Sequence, residues 1–386
     1  MSDNDIPLTR PCFGPEEEAA VSDCLRSGWL TAGPRVSMFE RAFADFVGAP
    51  GAVAVSSGTA ALHLALWSLD LQPGDEVITP SLTWVSAPNV IALLGARPRF
   101  CDVDPETLCL DIEDAASLVN ERTRAIVPVH FAGRTCDMAA LHAFAVAHDI
   151  AIIEDAAHAI GSEYGGRRIG AHSGMCAFSF HPNKNITTGE GGMLTGLDED
   201  RLAFARLHRY HGLTRDTFVR MRAEKLPHYD DKSPGLKYIM TDVAAAIGAC
   251  QLEKLEGFNR SRAALAAAYR ERLHPLADRV WFPADDTAPG RRHAWHLFTV
   301  CVADRPGLRE AVMSGLKRRG IGFGLHYLPV HEMSWVRERA WGRPLPVAER
   351  LGRTLLSLPM YPALTEGDVA RVVSALEGAL DEALAE

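Results

Sequence analysis

The sequence predicts an α/β protein: a mixed, mostly parallel seven-stranded sheet covered by helices, with a smaller C-terminal α+β unit. Three observations predict it. From about residue 51 to residue 196, short apolar runs alternate with stretches of helical length, the pattern of parallel strands joined by crossover helices. The last two runs of this region are separated by only about a dozen residues, Gly-rich and broken by Pro. That length is marginal for a helical crossover, so the final strand is expected to run antiparallel. Beyond a long helical segment, apolar runs and amphipathic helices resume.

Taken in order, the strands are GAVAVSS, DEVITPS, RPRFCDV, AIVPVHF, IAIIEDA, MCAFSF and GGMLTG, with TAALHLALWSL and MAALHAFAVAH among the crossover helices. A long helix runs from Thr241 to about Leu273, with Thr241 as N-cap and Asp242 in its first turn. It links a large domain, residues 1–250, to a small one, 251–386. In the small domain HAWHLFTVCV and GIGFGLHYLP suggest strands, LREAVMSGLKRRG a helix, and a further helix follows Thr365 with Asp368 completing the cap. The stretch from 213 to 235 reads as a long loop, a length that is often functional.

Composition bounds the function. With 47% hydrophobic and 23% charged residues in 386, the chain has an ordinary globular makeup, and no apolar run reaches the roughly 18 residues that span a bilayer. The polar, acidic start, MSDNDIPLTRPCFGPEEEAA, predicts neither a signal nor a transit peptide, so the expected location is the cytoplasm. The eight cysteines are scattered, with no CxxC pair, and read as small apolar thiols; no metal site is expected. The sequon at Asn185 carries no weight without secretion. A net charge of -9 without a face-sized basic run excludes a nucleic-acid footprint but leaves room for a small anionic substrate.

Four features converge on one lysine. In SFHPNKNITTGEGG, Lys184 sits on the loop between the last two strands; a loop lysine is usually solvated and idle, yet a desolvated one is a nucleophilic amine able to form a Schiff base. In SSGTAALHLAL a strand ends at Ser57, and the N–H groups of Gly58, Thr59 and Ala60 open a helix, a phosphate cradle that could also be a plain cap. IAIIEDAAHAIG delivers Asp155 at the C-terminal end of a buried strand, where it faces a cation or caps a following helix. SLTWVSAPN puts Trp84 just past a strand, to stack on a flat ring or to sit in the core. Together they describe a pyridoxal phosphate site. No Walker loop, HExxH or GxSxG competes, and GIGFG lacks the strand-then-helix setting of a dinucleotide loop.

From SGWLTAGPRVSMFERAFADFVGA to LSLPMYPALTEGDV the chain resembles the DegT/DnrJ/EryC1/StrS family of sugar aminotransferases; SSGTAALHLAL, EDAAHAIG, SFHPNKNITTGEGG, MTDVAAAIGACQLEKL and HYLPVH carry the likeness. The resemblance implies the aspartate aminotransferase fold and pyridoxal 5'-phosphate. It implies Lys184 at the Schiff-base position, Asp155 at the pyridine nitrogen and Trp84 on the ring. It also implies His158 near the ring hydroxyl, Ser179 with Ser57, Gly58 and Thr59 at the phosphate, and Thr31, His326 and Tyr327 in segments lining the sugar site. Ile239 stands where many relatives carry an Asn that reaches the neighbouring subunit's cofactor phosphate; Ile cannot donate, which leaves that contact to a side chain such as Lys237.

The reaction so implied moves an amino group from an amino acid, glutamate above all, to a nucleotide-linked 4-keto sugar, in a homodimer with shared sites. A 3-keto sugar or cyclitol ketone is the alternative acceptor, and a non-catalytic regulatory relative the alternative class. Related sugar 3-dehydratases carry His in place of the lysine, against which Lys184 argues.

Overall fold

The computed structural model describes residues 5–214, 230–284, 286 and 288–385. Most of the long loop expected at 213–235 therefore lies outside the described residues; at its base Thr214 N–H donates to Asp230 O at 3.1 Å.

Every strand expected in the large domain is present: β1 (Ala52–Val55), β2 (Glu76–Pro80), β3 (Arg97–Cys101), β4 (Thr123–Ile126), β5 (Ala151–Asp155), β6 (Met175–Ser179) and β7 (Gly192–Thr195). They form one sheet in the order β1-β7-β6-β5-β4-β2-β3. Strands β2 to β6 pair in parallel, and β7 runs antiparallel to both β6 and β1. The connection that carries Lys184 is thus a turn between antiparallel neighbours rather than a crossover, as its length requires.

Successive strand residues feed opposite cores. Ala52, Ala54, Ile78, Ile126, Ile152, Cys176, Phe178 and Met193 pack on one face, while Val53, Val55, Val77, Ala125, Ile153, Met175, Ala177 and Leu194 pack on the other. Both faces are buried, which is why these strands read as continuous apolar runs instead of alternating ones.

The long helix spans Asp242–Leu273, with Thr241 Oγ1 accepting from Ala244 N–H as N-cap. Its first half packs through Ala245, Leu252 and Leu255 into the sheet domain's core. Its second half, Leu265, Ala266, Tyr269 and Leu273, belongs to the C-terminal core. A boundary at 250/251 therefore falls inside one continuous helix. The N-terminal segment also departs from the expected division: Ile6 bridges to Ile321 and is buried in the C-terminal core.

In that unit Val280–Trp281, Phe298–Val302 and Leu355–Leu358 make a three-stranded antiparallel sheet, covered by helices Leu308–Arg318 and Glu366–Ala385. The second of these is closed by the expected cap, with Thr365 N–H donating to Asp368 Oδ2 at 2.9 Å and Asp368 N–H to Thr365 Oγ1 at 3.1 Å. GIGFGLHYLP does not form the expected strand. It makes only isolated bridges, Ile321 to Ile6 and Gly324 to Ser357, since Gly320, Gly322 and Gly324 weaken any strand through them; Gly322 also packs on other backbone, where a Cβ would lie 2.5 Å from Leu8 N. The segment instead carries Leu325, His326 and Tyr327 to the site.

Candidate active site

A cavity of about 400 Å³ opens where the parallel strands end, the place at which open α/β sheets bind ligands. Ser57, Gly58, Thr59, Trp84, Asp155, His158, Ser179, Lys184, His326 and Tyr327 all line it. Thr31 does not. It is exposed on the turn after helix Pro15–Ser27, a turn tied elsewhere by Asp242, whose N–H donates to Leu30 O and whose carboxylate accepts from Arg35 and Val36 N–H.

Lys184 is not a solvated surface lysine. The loop folds back on itself, Phe180 N–H donating to Gly191 O and Thr188 N–H to Phe180 O, and Asn185 is buried with its amide nitrogen 2.8 Å from both Asn259 Oδ1 and Ala294 O. The sequon asparagine is thus an internal anchor that pins the backbone next to the lysine. Burial draws the Lys184 ammonium down from 10.5 to about 8, while the Asp155 carboxylate pulls the other way.

Asp155 ends β5 and is 6% exposed. No helix follows it: residues 156–162 are turns and irregular backbone, so the capping alternative fails, and its carboxylate accepts from Ala157 N–H at 3.0 Å, a turn contact. It makes no ion pair among the described residues, and burial raises its pKa, with Lys184 and His130 opposing. A buried carboxylate facing a cavity without a salt-bridge partner is suited to a cationic ligand group.

The cradle helix is Gly58–Trp67. Ser57 Oγ caps it by accepting from Ala60 N–H at 3.0 Å, so Ala60's donor, expected to be free, is consumed, while the N–H groups of Gly58 and Thr59 have no acceptor among the described residues. Gly58 is required by packing: a Cβ there would lie 2.9 Å from Ser179 Cβ. This close approach sets the helix N-terminus directly against Ser179. Trp84 is 60% exposed at the cavity, so the core alternative fails for it too. Its ring lies 5.8 Å from that of Tyr327.

His158 is buried, bonded to Ala132 N–H through Nδ1 at 3.3 Å and to Tyr327 OH through Nε2 at 3.0 Å. Burial and the nearby Lys184 charge push its pKa well below the ordinary imidazole value. His326 is held by Ser357 Oγ at 2.8 Å, and burial takes it down to about 4. The walls near Lys184 therefore carry neutral imidazoles.

Other polar lining residues went unnamed from sequence. Ser86 pairs with Thr59 at 2.8 Å and His181 with Asn183 at 2.9 Å, and Glu190 lies on the same wall. All fall inside stretches already singled out, but which side chains turn inward depends on the turn geometry.

Ile239 is half-buried in a bridge to Val55, beside the cradle, and Lys237 is exposed. Among the described residues no cluster of three or more His, Cys, Asp or Glu could hold a metal, and no helix is long and apolar enough to cross a membrane.

A model of the DegT/DnrJ/EryC1/StrS aminotransferase family matches residues 11–377. The chain belongs to this family. Among solved structures it is similar to Spr1654 of Streptococcus pneumoniae, at 28% identity over 98% of this chain and 100% of that one, with TM-score 0.92 for the PMP form and 0.90 for the PLP form. It is also similar to the aminotransferase TlmJ of Streptoalloteichus hindustanus (34% identity, 99% and 100% covered, TM-score 0.90). A third is the sugar aminotransferase CalS13 of Micromonospora echinospora (33%, 97% and 99%, TM-score 0.86).

As a member of the DegT/DnrJ/EryC1/StrS aminotransferases, the protein uses pyridoxal 5'-phosphate. The residues fit that group on their own chemistry. The free N–H groups of Gly58 and Thr59, with the hydroxyls of Ser57 and Ser179, suit the phosphate. Asp155 suits a protonated ring nitrogen, and Lys184 supplies the amine.

Proposed function

We propose that this aminotransferase moves an amino group from L-glutamate to the keto group of a nucleotide-linked 4-keto sugar. The observation that carries the reading is the meeting of Lys184, its ammonium lowered to about 8, with the unpaired buried carboxylate of Asp155 in one cavity. A non-catalytic relative has no reason to keep both. Similarity to the sugar aminotransferase CalS13 supports a sugar, as do the hydroxyl, amide and carboxylate groups of Thr59, Ser86, Asn183 and Glu190 on the walls, which suit a polyol.

Bound in this cavity, pyridoxal phosphate supplies an electrophilic carbon and a ring that accepts an electron pair. Lys184, as the free amine, would take the proton from the donor's α-carbon and hold it on its Nζ for return to the reacting system. Asp155 would hold a proton on the ring nitrogen, Trp84 would cover the ring, and Gly58, Thr59 and Ser179 would hold the phosphate.

We also propose a homodimer with shared sites. Among the described residues Lys184 is the only lysine or arginine lining the cavity, and it is committed to the chemistry. The donor carboxylate and the nucleotide's phosphates need further cations, which a partner subunit would bring. The test is purified protein assayed with glutamate against a panel of nucleotide keto-sugars, with light scattering on the same sample. 4-Amino sugar nucleotides formed from the 4-keto substrates by a dimer are expected. Amination of small keto acids alone would overturn the sugar, and an active monomer the shared site.

A further inference from the structure

The cavity wall has two sources. Residues 57–190 supply every group that suits the cofactor, and Leu325–Tyr327 is the one stretch among the described lining residues that comes from the C-terminal unit. That stretch lies beside the groups that suit the cofactor, the Tyr327 ring 5.8 Å from that of Trp84 and its hydroxyl 3.0 Å from His158 Nε2, and it leaves the cavity between for a second reactant.

The hydrogen-bond directions along this wall are forced. Ala132 N–H can only donate, so the His158 Nδ1 it meets at 3.3 Å is the unprotonated nitrogen. His158 is buried and kept neutral, so its single ring proton is on Nε2, 3.0 Å from the Tyr327 hydroxyl. Nε2–H therefore donates to the Tyr327 oxygen, and the tyrosine's own hydrogen must point elsewhere. No protein acceptor for it is found among the described residues, and the side chain lines the cavity.

The start of this chain is built at a cost. Ala132 holds a left-handed φ of 57°, a conformation that disfavours any residue with a Cβ. The turn is braced from behind. His130 Nδ1 accepts from Cys136 N–H at 3.1 Å, so its Nε2–H donates to Glu154, fully buried, at 2.9 Å. On the other side of His158 stands His296, with ring centroids 4.3 Å apart. Asn185 spends both amide hydrogens on Asn259 Oδ1 and Ala294 O, so its oxygen accepts from His296 Nδ1–H at 3.1 Å. His296 is thereby left with a bare Nε2, an acceptor that has no hydrogen-bond partner among the described residues and so takes neither the His158 nor the Tyr327 hydrogen.

We infer that Tyr327 is the hydrogen-bond donor to the carbonyl oxygen of the keto reactant, and that His158 is the positioning residue that turns its hydroxyl into the cavity. This rests on the aminotransferase reading above but not on the identity of the sugar. Burial and the Asp155 charge raise the Tyr327 pKa, so the phenol keeps its proton and polarises the carbonyl without giving the proton up. A preorganised donor at an oxygen that gains negative charge typically contributes about 100-fold or more in rate.

The experiment compares two reactions of the cofactor-loaded enzyme. One is single-turnover amination of 2-oxoglutarate by the amine form, which consumes a carbonyl. The other is exchange of the glutamate α-hydrogen with D2O, read by NMR, which needs Lys184 but no carbonyl oxygen. Tyr327→Phe is expected to slow the first by about 100-fold and the second at least tenfold less, with the cofactor's visible band in place. His158→Leu should match the first loss. His158→Gln should recover most of it, since a glutamine can accept from Ala132 and donate to Tyr327. The double variant His158→Leu/Tyr327→Phe should be no worse than Tyr327→Phe.

Equal loss in both reactions, or a shifted visible band in Tyr327→Phe, would overturn the assignment, because the hydroxyl would then serve the cofactor. No rescue by His158→Gln would overturn the positioning role. Wild-type enzyme that turns over 2-oxoglutarate but aminates no keto-sugar would sink the sugar reading alone.

Discussion

The pH behaviour of Lys184 tests the site at its centre. In the cofactor-free protein burial sets the ammonium at about 8 against an ordinary 10.5. At pH 7 the free-amine fraction is then about one in ten, against roughly one in three thousand for an unperturbed lysine. Brief acetic anhydride labelling across a pH series, with the Lys184 peptide quantified by mass spectrometry and denatured protein as reference, reads this directly. Modification should rise through a midpoint near 8. Asp155→Asn removes the carboxylate that favours the charged amine, so the midpoint should move lower. The linkage to stability has a definite sign. Lys184 has a lower pKa folded than unfolded, so between about 8 and 10.5 the unfolded chain binds more protons and the folded state gains stability as pH rises. Lys184→Met should abolish that rise in thermal melts. A labelling midpoint near 10.5, or one raised by Asp155→Asn, would refute the claim that burial opposed by Asp155 governs the amine.

Asp155→Asn should lose most turnover, having no carboxylate to hold a proton on the ring nitrogen. The same change should raise the melting temperature of the cofactor-free protein at pH 7, by about 1 kcal/mol in stability, since it removes an unpaired buried charge and an asparagine can still accept from Ala157 N–H. Gly58→Ala should destabilise by about 1–3 kcal/mol through overpacking against Ser179 and release cofactor faster in dialysis; unchanged retention would mean that the cradle does not hold the phosphate. Trp84→Ala should leave the melt of the cofactor-free protein nearly unchanged, because the side chain is 60% exposed, yet weaken cofactor binding in a titration; a large drop in melting temperature would return Trp84 to a structural role.

The large domain was legible because most of its strand residues are buried on both faces: the runs from GAVAVSS to GGMLTG have apolar centres rather than a strict alternation, and the short gap around Lys184 fits a reversal of direction. Lys184, Asp155 and Gly58 were legible for a related reason, since each sits at a strand end or turn whose place in an α/β sheet is dictated locally. The capping pairs at Thr241 and Thr365 are local as well. What failed to read was what depends on distant backbone. GIGFGLHYLP looks like a strand but has no ladder to join, Ile6 crosses to the C-terminal core, and Thr31 sits outside its own chain's cavity. Only the tertiary structure brought Tyr327 to His158 across 169 positions of sequence, or aimed Ala132 N–H at an imidazole. The direction of a hydrogen bond depends on which donor lies opposite which lone pair, and no periodicity or spacing along the chain encodes that.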